Sequence, residues 1–166
     1  MELIVVILIL SLMGGLIIST MHSQTKNKIL NIKTLKKDLL LEIKSPYLTQ
    51  FFCTHKLKKC FFLSAGEIIK YDGKLEIGKN VKIYKIDKQN SIRLIEDFGI
   101  YKSDKVSFLY NIFPNKSSSQ MIIKNDDGIF YIPTYFKKVT QVESLEDAQS
   151  LWIKDQYDLH DESSYY

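Results

Sequence analysis

The order of apolar and polar residues divides the chain into three stretches. Residues 3–18 are apolar except for Ser11 and the pair Gly14 and Gly15, and neither proline nor charge interrupts them. Such a run is most stable in lipid, where a membrane-spanning helix takes about 20 apolar residues. Beyond it, Ile29, Ile32, Leu35, Leu39 and Ile43 recur at spacings of three and four, which is one face of an amphipathic helix. No proline occurs between residues 3 and 44, so the pattern predicts one long helix, apolar all round in its first half and one-sided in its second. Ser45-Pro46 should end it, because the residue before a proline is pushed out of the helical region.

The remainder predicts strands. Residues 81–87, 92–98, 106–113, 120–124 and 129–132 are rich in Ile, Val, Phe and Tyr and are separated by polar turns. Asp72-Gly73 and Asp127-Gly128 are two-residue hairpin signals, since glycine adopts positive φ without steric penalty, and antiparallel pairing follows. Residues 115–119 suggest an exposed loop. Ser144-Leu-Glu-Asp147 forms a capping box that opens a short helix to about Lys154, with a polar, frayed tail from Asp158. The expected fold is therefore α+β: a long N-terminal helix packed on an antiparallel β-rich head that ends in a short helix. Residues 1–45 would form the membrane and helical part, and residues 46–166 the head.

With 45% hydrophobic and 25% charged residues, the composition suits one membrane segment plus one domain of ordinary size. The net charge of +4 is unevenly spread. Lys26, Lys28, Lys33, Lys36, Lys37, Lys44, Lys56, Lys58 and Lys59 crowd residues 26–59 against Asp38 and Glu42 alone. Near the end, Glu143, Glu146, Asp147, Asp155, Asp158, Asp161 and Glu162 face only Lys154. This asymmetry could pair the base of one subunit with the tip of another, or attract nucleic acid; two solvated faces of opposite sign are the simpler account.

The two cysteines, Cys53 and Cys60, sit close together with His55 between them. Three chemistries stay open: a disulfide, two free thiols, or a metal site. A bridge would restrict the unfolded chain by about 2.5 kcal/mol in the loop-entropy model and would require an oxidising compartment. A metal would lack a fourth ligand and the paired spacing of zinc sites. His22, His55 and His160 are scattered, and neither a nucleophile elbow nor a phosphate-binding loop is present in the sequence. The residues therefore point to no enzyme and call for no cofactor. Aromatics interleaved with lysines in 51–62 and 131–138 could stack on bases, though core packing accounts for them more simply.

The opening run, Glu2 followed by Leu-Ile-Val-Val-Ile-Leu-Ile-Leu, resembles the N-terminal segment of type IV pilins and type II secretion pseudopilins. In that family a short basic leader ends in Gly, then come Phe, a few apolar residues, a Glu and a long apolar run. The resemblance implies cleavage of the leader by a prepilin peptidase and methylation of the new N-terminus. It also implies that Glu2 contacts a neighbouring subunit's N-terminal amine in a filament. The leader and the Gly-Phe junction are absent from this sequence, and the expectation is that they are encoded directly upstream of Met1.

The implied protein is a minor pilin or pseudopilin serving protein secretion, DNA uptake or adhesion. Its partners would be other pilin subunits, an inner-membrane assembly platform and a cytoplasmic ATPase, with nucleic acid kept open by the lysine-rich base. It would span the bacterial inner membrane once, with its head in the periplasm. Lysines after the span would by themselves argue for the cytoplasm, but the positive-inside rule compares both flanks and the expected leader supplies the other. The cysteine pair independently favours the oxidising side. The alternative is a single-pass anchored periplasmic binding domain that does not polymerise.

Overall fold

The computed structural model describes residues 28–162, Lys44 and Phe136 apart. Glu2, His22 and the apolar run of residues 3–18 lie outside the described residues. In chain order the first elements are β1 (Ile29–Asn31), α1 (Leu35–Glu42), β2 (Thr49–Thr54), β3 (Lys59–Ser64), β4 (Glu67–Tyr71), β5 (Lys74–Glu76) and β6 (Lys82–Ile86). There follow β7 (Ile92–Ile95), β8 (Ile100–Tyr101), β9 (Asp104–Ile112), β10 (Met121–Asn125), β11 (Gly128–Ile132), β12 (Thr140–Val142) and α2 (Leu145–Glu162).

Over residues 28–43 the expected long amphipathic helix is not formed: the described residues are mostly β-sheet, with two helices, α1 and α2. Helical spacing requires Ile29 to face inward, yet Ile29 is 49% exposed while its neighbour Leu30 is fully buried. The cause is non-local. β1 pairs in parallel with β5, Leu30 opposite Leu75. The Lys28 carbonyl accepts hydrogen bonds from the Lys74 N–H at 2.9 Å and the Tyr71 hydroxyl at 3.3 Å. The Asn31 side-chain oxygen then accepts the N–H groups of Lys33 and Thr34, a turn that competes with continued helix and delays α1 to Leu35. Among the described residues, no helix is long and apolar enough to cross a membrane.

Two five-stranded antiparallel sheets form the body. Sheet I has the order β4-β3-β2-β9-β8, and sheet II the order β12-β11-β10-β6-β7. Their facing sides share one core: Phe51, Cys53, Phe108 and Tyr110 from sheet I, and Ile83, Met121, Ile123, Phe130 and Ile132 from sheet II. Leu30, Leu35, Leu39 and Leu75 join the same core, so α1 and the β1–β5 pair belong to the head and close one side of it. The outer face of sheet II carries Ile122, Ile129 and Tyr131, which α2 covers with Ala148 and Trp152. On the outer face of sheet I, Phe52, Phe61 and Tyr101 pack on one another at ring separations of 5.1 to 5.3 Å.

The five predicted strands correspond to β6, β7, β9, β10 and β11, with shifted ends. Of the two predicted hairpins, Asp72-Gly73 is not one, since β4 and β5 do not pair. Gly73 serves crowding instead: a Cβ there would lie 2.2 Å from the Lys28 oxygen. The second hairpin forms one residue early, with Asp126 and Asp127 as the turn and Gly128 opposite Asn125 at a φ of 138°. Two unpredicted hairpins turn on Ala65-Gly66 and Lys102-Ser103, where both central residues have positive φ, as type I′ turns require.

The segment 115–119 is not simply an exposed loop, because Ser117 and Ser118 are buried and the Tyr110 hydroxyl donates to Ser118 Oγ at 2.8 Å. The Ser144 capping box is present, with Asp147 N–H donating to Ser144 Oγ and Ser144 N–H donating to the Asp147 carboxylate. The helix that it opens continues past Lys154 to Glu162, beyond the predicted end.

Candidate functional site

Cys53 and Cys60 face one another across the β2–β3 pair and are joined in a disulfide. Both are buried, at 0% and 3% exposure. The bond lies directly behind a turn in which His55, Lys56 and Leu57 all take positive φ, a conformation unfavourable for residues with a Cβ. That turn is held by the Leu57 N–H donating to Ser107 Oγ, while the Ser107 hydroxyl donates to the Cys53 carbonyl. The disulfide therefore braces a strained corner.

His55 sits at the edge of a cleft of about 540 Å³ at the open end between the sheets, 3.4 Å from the Asp104 carboxylate. Its Nδ1 lies 3.1 Å from Thr54 Oγ1. Among the described residues, no group of three His, Cys, Asp or Glu side chains is placed to hold a metal ion. The Ser107 hydroxyl, which also lines this cleft, donates to the Cys53 carbonyl at 3.1 Å. His160 lies in α2, far along the chain from His55.

The aromatics of residues 51–62 are structural. Phe51 is fully buried and packs on Phe62, Tyr71 and Phe108. Phe52 and Phe61 belong to the outer cluster with Tyr101. Their rings pack on one another, with Phe51 and Phe52 buried and Phe61 and Phe62 half-buried. Tyr131 is likewise buried beside Trp152.

A larger groove, about 920 Å³, runs between α1, the segment before β12 and the edge of sheet II. Its floor is Leu40, Phe130 and Val139, and its rim carries Lys33, Lys36, Lys37, Lys116, Lys137 and Lys138. Among the described residues, no carboxylate lines it. The rim lysines come from three parts of the fold. Lys33 and Lys37 flank the start of α1, Lys116 comes from the β9–β10 connection, and Lys137 and Lys138 follow β11.

Lys36 is the structural member of this set. It is 6% exposed, and its ammonium donates to the Pro133 carbonyl at 2.9 Å and to the Tyr135 carbonyl. Burial lowers its pKa to about 8, partly offset by the Asp155 charge, so at neutral pH it stays protonated and ties α1 to the segment leaving β11. Lys137 donates to Asp155 at 2.6 Å and to Asp158 at 3.0 Å, and these hydrogen bonds raise its pKa. Asp155 also accepts the Tyr131 hydroxyl at 2.7 Å, so the end of α2 is fastened to sheet II at the groove's edge. Burial, reinforced by that bond to Asp155, pushes the Tyr131 pKa up.

Among the described residues, Lys33, Lys37, Lys116 and Lys138 make no ion pair. Four free ammonium groups around an apolar floor suit a ligand that is anionic at one end and apolar at the other. The lysine crowding of the first third and of 131–138 was the visible signal. What sequence reasoning missed was the juxtaposition, since residues nearly a hundred positions apart meet only when α1 docks on the end of β11. Glu2, the residue assigned to subunit assembly, lies outside the described residues.

No protein-family model matches the chain, and neither a curated protein nor a solved structure shows similarity to it.

Proposed function

We propose that this chain is a membrane-anchored, non-enzymatic subunit of a type IV pilus-like or type II secretion filament, a minor pilin or pseudopilin. Its β-rich head stands on the periplasmic side of the bacterial inner membrane. The observation that carries this is the union, in one chain, of an uncharged apolar run opened by a single Glu2 and a head braced by a buried disulfide. The first fits a lipid anchor. The second fits an oxidising compartment. Because residues 29–42 belong to the head's own core, anchoring and assembly are assigned to residues 1–27 alone. Filament assembly would draw on other pilin subunits, a prepilin peptidase, and the inner-membrane platform with its ATPase.

The test is Glu2→Val, with crosslinking to other filament subunits measured in cells beside the variant's membrane level. Removing one partner of a buried ion pair typically costs about 3 to 5 kcal/mol, so crosslinking should fall sharply. Membrane level should hold, because the substitution deletes a charge from an apolar run. Crosslinking equal to the unsubstituted protein would discard the filament and leave the second reading, a solitary anchored binding head. The free lysine-rimmed groove is the observation that favours that reading.

A further inference from the structure

We propose that the lysine-rimmed groove seats an anionic phospholipid of the membrane in which the chain is anchored, its phosphate on the free lysines and its upper acyl region on the apolar floor. This rests on the anchored reading above. The groove pairs two chemistries that a phospholipid also pairs. Lys33, Lys37, Lys116 and Lys138 supply unpaired positive charge, and no carboxylate lies among the lining residues to repel an anion. Beneath them lie Leu40 and Val139, and Leu41 stands at the mouth with 66% of its surface exposed. Cationic rim plus apolar floor is the arrangement that holds amphipathic surfaces at the boundary between headgroups and acyl chains.

Two other occupants fit less well. A nucleic acid would use flat rings on which bases stack, and the aromatic ring among the described lining residues, Phe130, is only 2% exposed. Asp155 and Asp158 of α2 from a second copy would have to surrender contacts they already make, because both are bound to their own Lys137 and Asp155 also to Tyr131.

Reach favours the lipid. Ile18, at the end of the apolar run, and Lys28, where the head begins, are ten positions apart, a tether of at most about 35 Å when extended. The head cannot leave the neighbourhood of the bilayer, and a tethered site meets its ligand at high effective concentration. α1, which forms one wall of the groove, is the first helix after that tether among the described residues. Anionic lipid attracts basic segments held within a Debye length of the surface, so the contact should weaken with salt.

The experiment reconstitutes the full chain into vesicles of phosphatidylcholine and, separately, of phosphatidylcholine with phosphatidylglycerol. Brief lysine acetylation is then read by mass spectrometry. Lys33, Lys37, Lys116 and Lys138 should be acetylated several-fold more slowly in the anionic vesicles, and added salt should restore their labelling. Exposed Lys70 and Lys102 on sheet I should label equally in both. Lys33→Gln, Lys37→Gln and Lys138→Gln together, all exposed positions that leave the core intact, should abolish the protection of Lys116.

Equal labelling of the rim lysines in the two vesicles overturns the inference. So does equal protection in neutral vesicles on adding inorganic phosphate or a short DNA duplex, which would reassign the groove to a free phosphate or to nucleic acid. Flotation with the neutral vesicles reads the anchor separately. A chain that floats without selective protection refutes the lipid site alone, and one that fails to float refutes the anchored reading with it.

Discussion

The two sheets solve the same problem by different means. Each has an inner face in the shared core and an outer face with large apolar residues. Sheet II relies on an element outside the sheet: α2 lays Ala148 and Trp152 over Ile122, Ile129 and Tyr131. Sheet I relies on its own strands, with Phe52, Phe61 and Tyr101 packed on one another and a disulfide joining β2 to β3. Local bracing should therefore keep sheet I ordered when tertiary cover is lost, whereas sheet II should depend on α2.

Trp152→Ala breaks this comparison most directly. Truncating a buried tryptophan typically costs about 3 to 5 kcal/mol, and denaturant unfolding should show a loss of that order. Hydrogen exchange should rise first in β10, β11 and β12, with β2 and β3 still protected; uniform exchange across both sheets would show that the two are not separable.

The converse removal is Cys53→Ala with Cys60→Ala. Loop entropy predicts a loss of about 2.5 kcal/mol, and exchange should rise first at the strained 55–57 turn and along β2 and β3. Protection confined to sheet II in this variant, and to sheet I in Trp152→Ala, would establish the contrast.

Titration sharpens it further. The folded pKa of Lys36 is lowered from 10.5 to about 8 by burial, so between these values the unfolded state binds more protons and stability rises with pH. The rise from pH 8 to pH 10 should be roughly 2 kcal/mol. Buried tyrosines act oppositely. Burial raises Tyr71 to about 12 and also raises Tyr110 and Tyr131, so their contribution is complete below 10 and lost as pH climbs through the folded values. Stability measured against pH should thus climb above 8 and fall steeply above 10, and Lys36→Met should erase the climb while retaining the fall.

The smallest effect belongs to the start of α2. Ser144→Ala removes the cap on the Asp147 N–H and should cost about 1 kcal/mol, with the loss appearing in sheet II exchange alone.

Legibility followed the range of the interactions. The strands β6, β7, β9, β10 and β11 were readable from residue type and turn spacing, and the Ser144 box from its local hydrogen-bonding pattern. β2 and β3 escaped the same logic because Phe51-Phe52-Cys53 and Cys60-Phe61-Phe62 are apolar on both faces, so no polar alternation marks them. The cysteine spacing left three chemistries open, and pairing of β2 with β3 brought the sulfurs together. The rim lysines were visible one by one, but nothing in their spacing announced a common groove.

What the sequence determined alone is therefore what depends on neighbours a few residues apart: the alternation of several strands and the cap of α2. Tertiary structure decided the rest. Apolar residues at spacings of three and four are compatible with a helix over 29–43, but a helix there would forgo the hydrogen bonds that Lys28 and β1 make with the segment around β5. Gly73 admits that approach, and Asn31 turns the chain before α1 can begin. Backbone pairing and burial across more than forty residues outweighed a weak local preference, since helix propensities differ by less than about 1 kcal/mol per residue and yield to packing. Docking of α1 on the segment that follows β11 brought Lys33 and Lys37 to the same groove as Lys138.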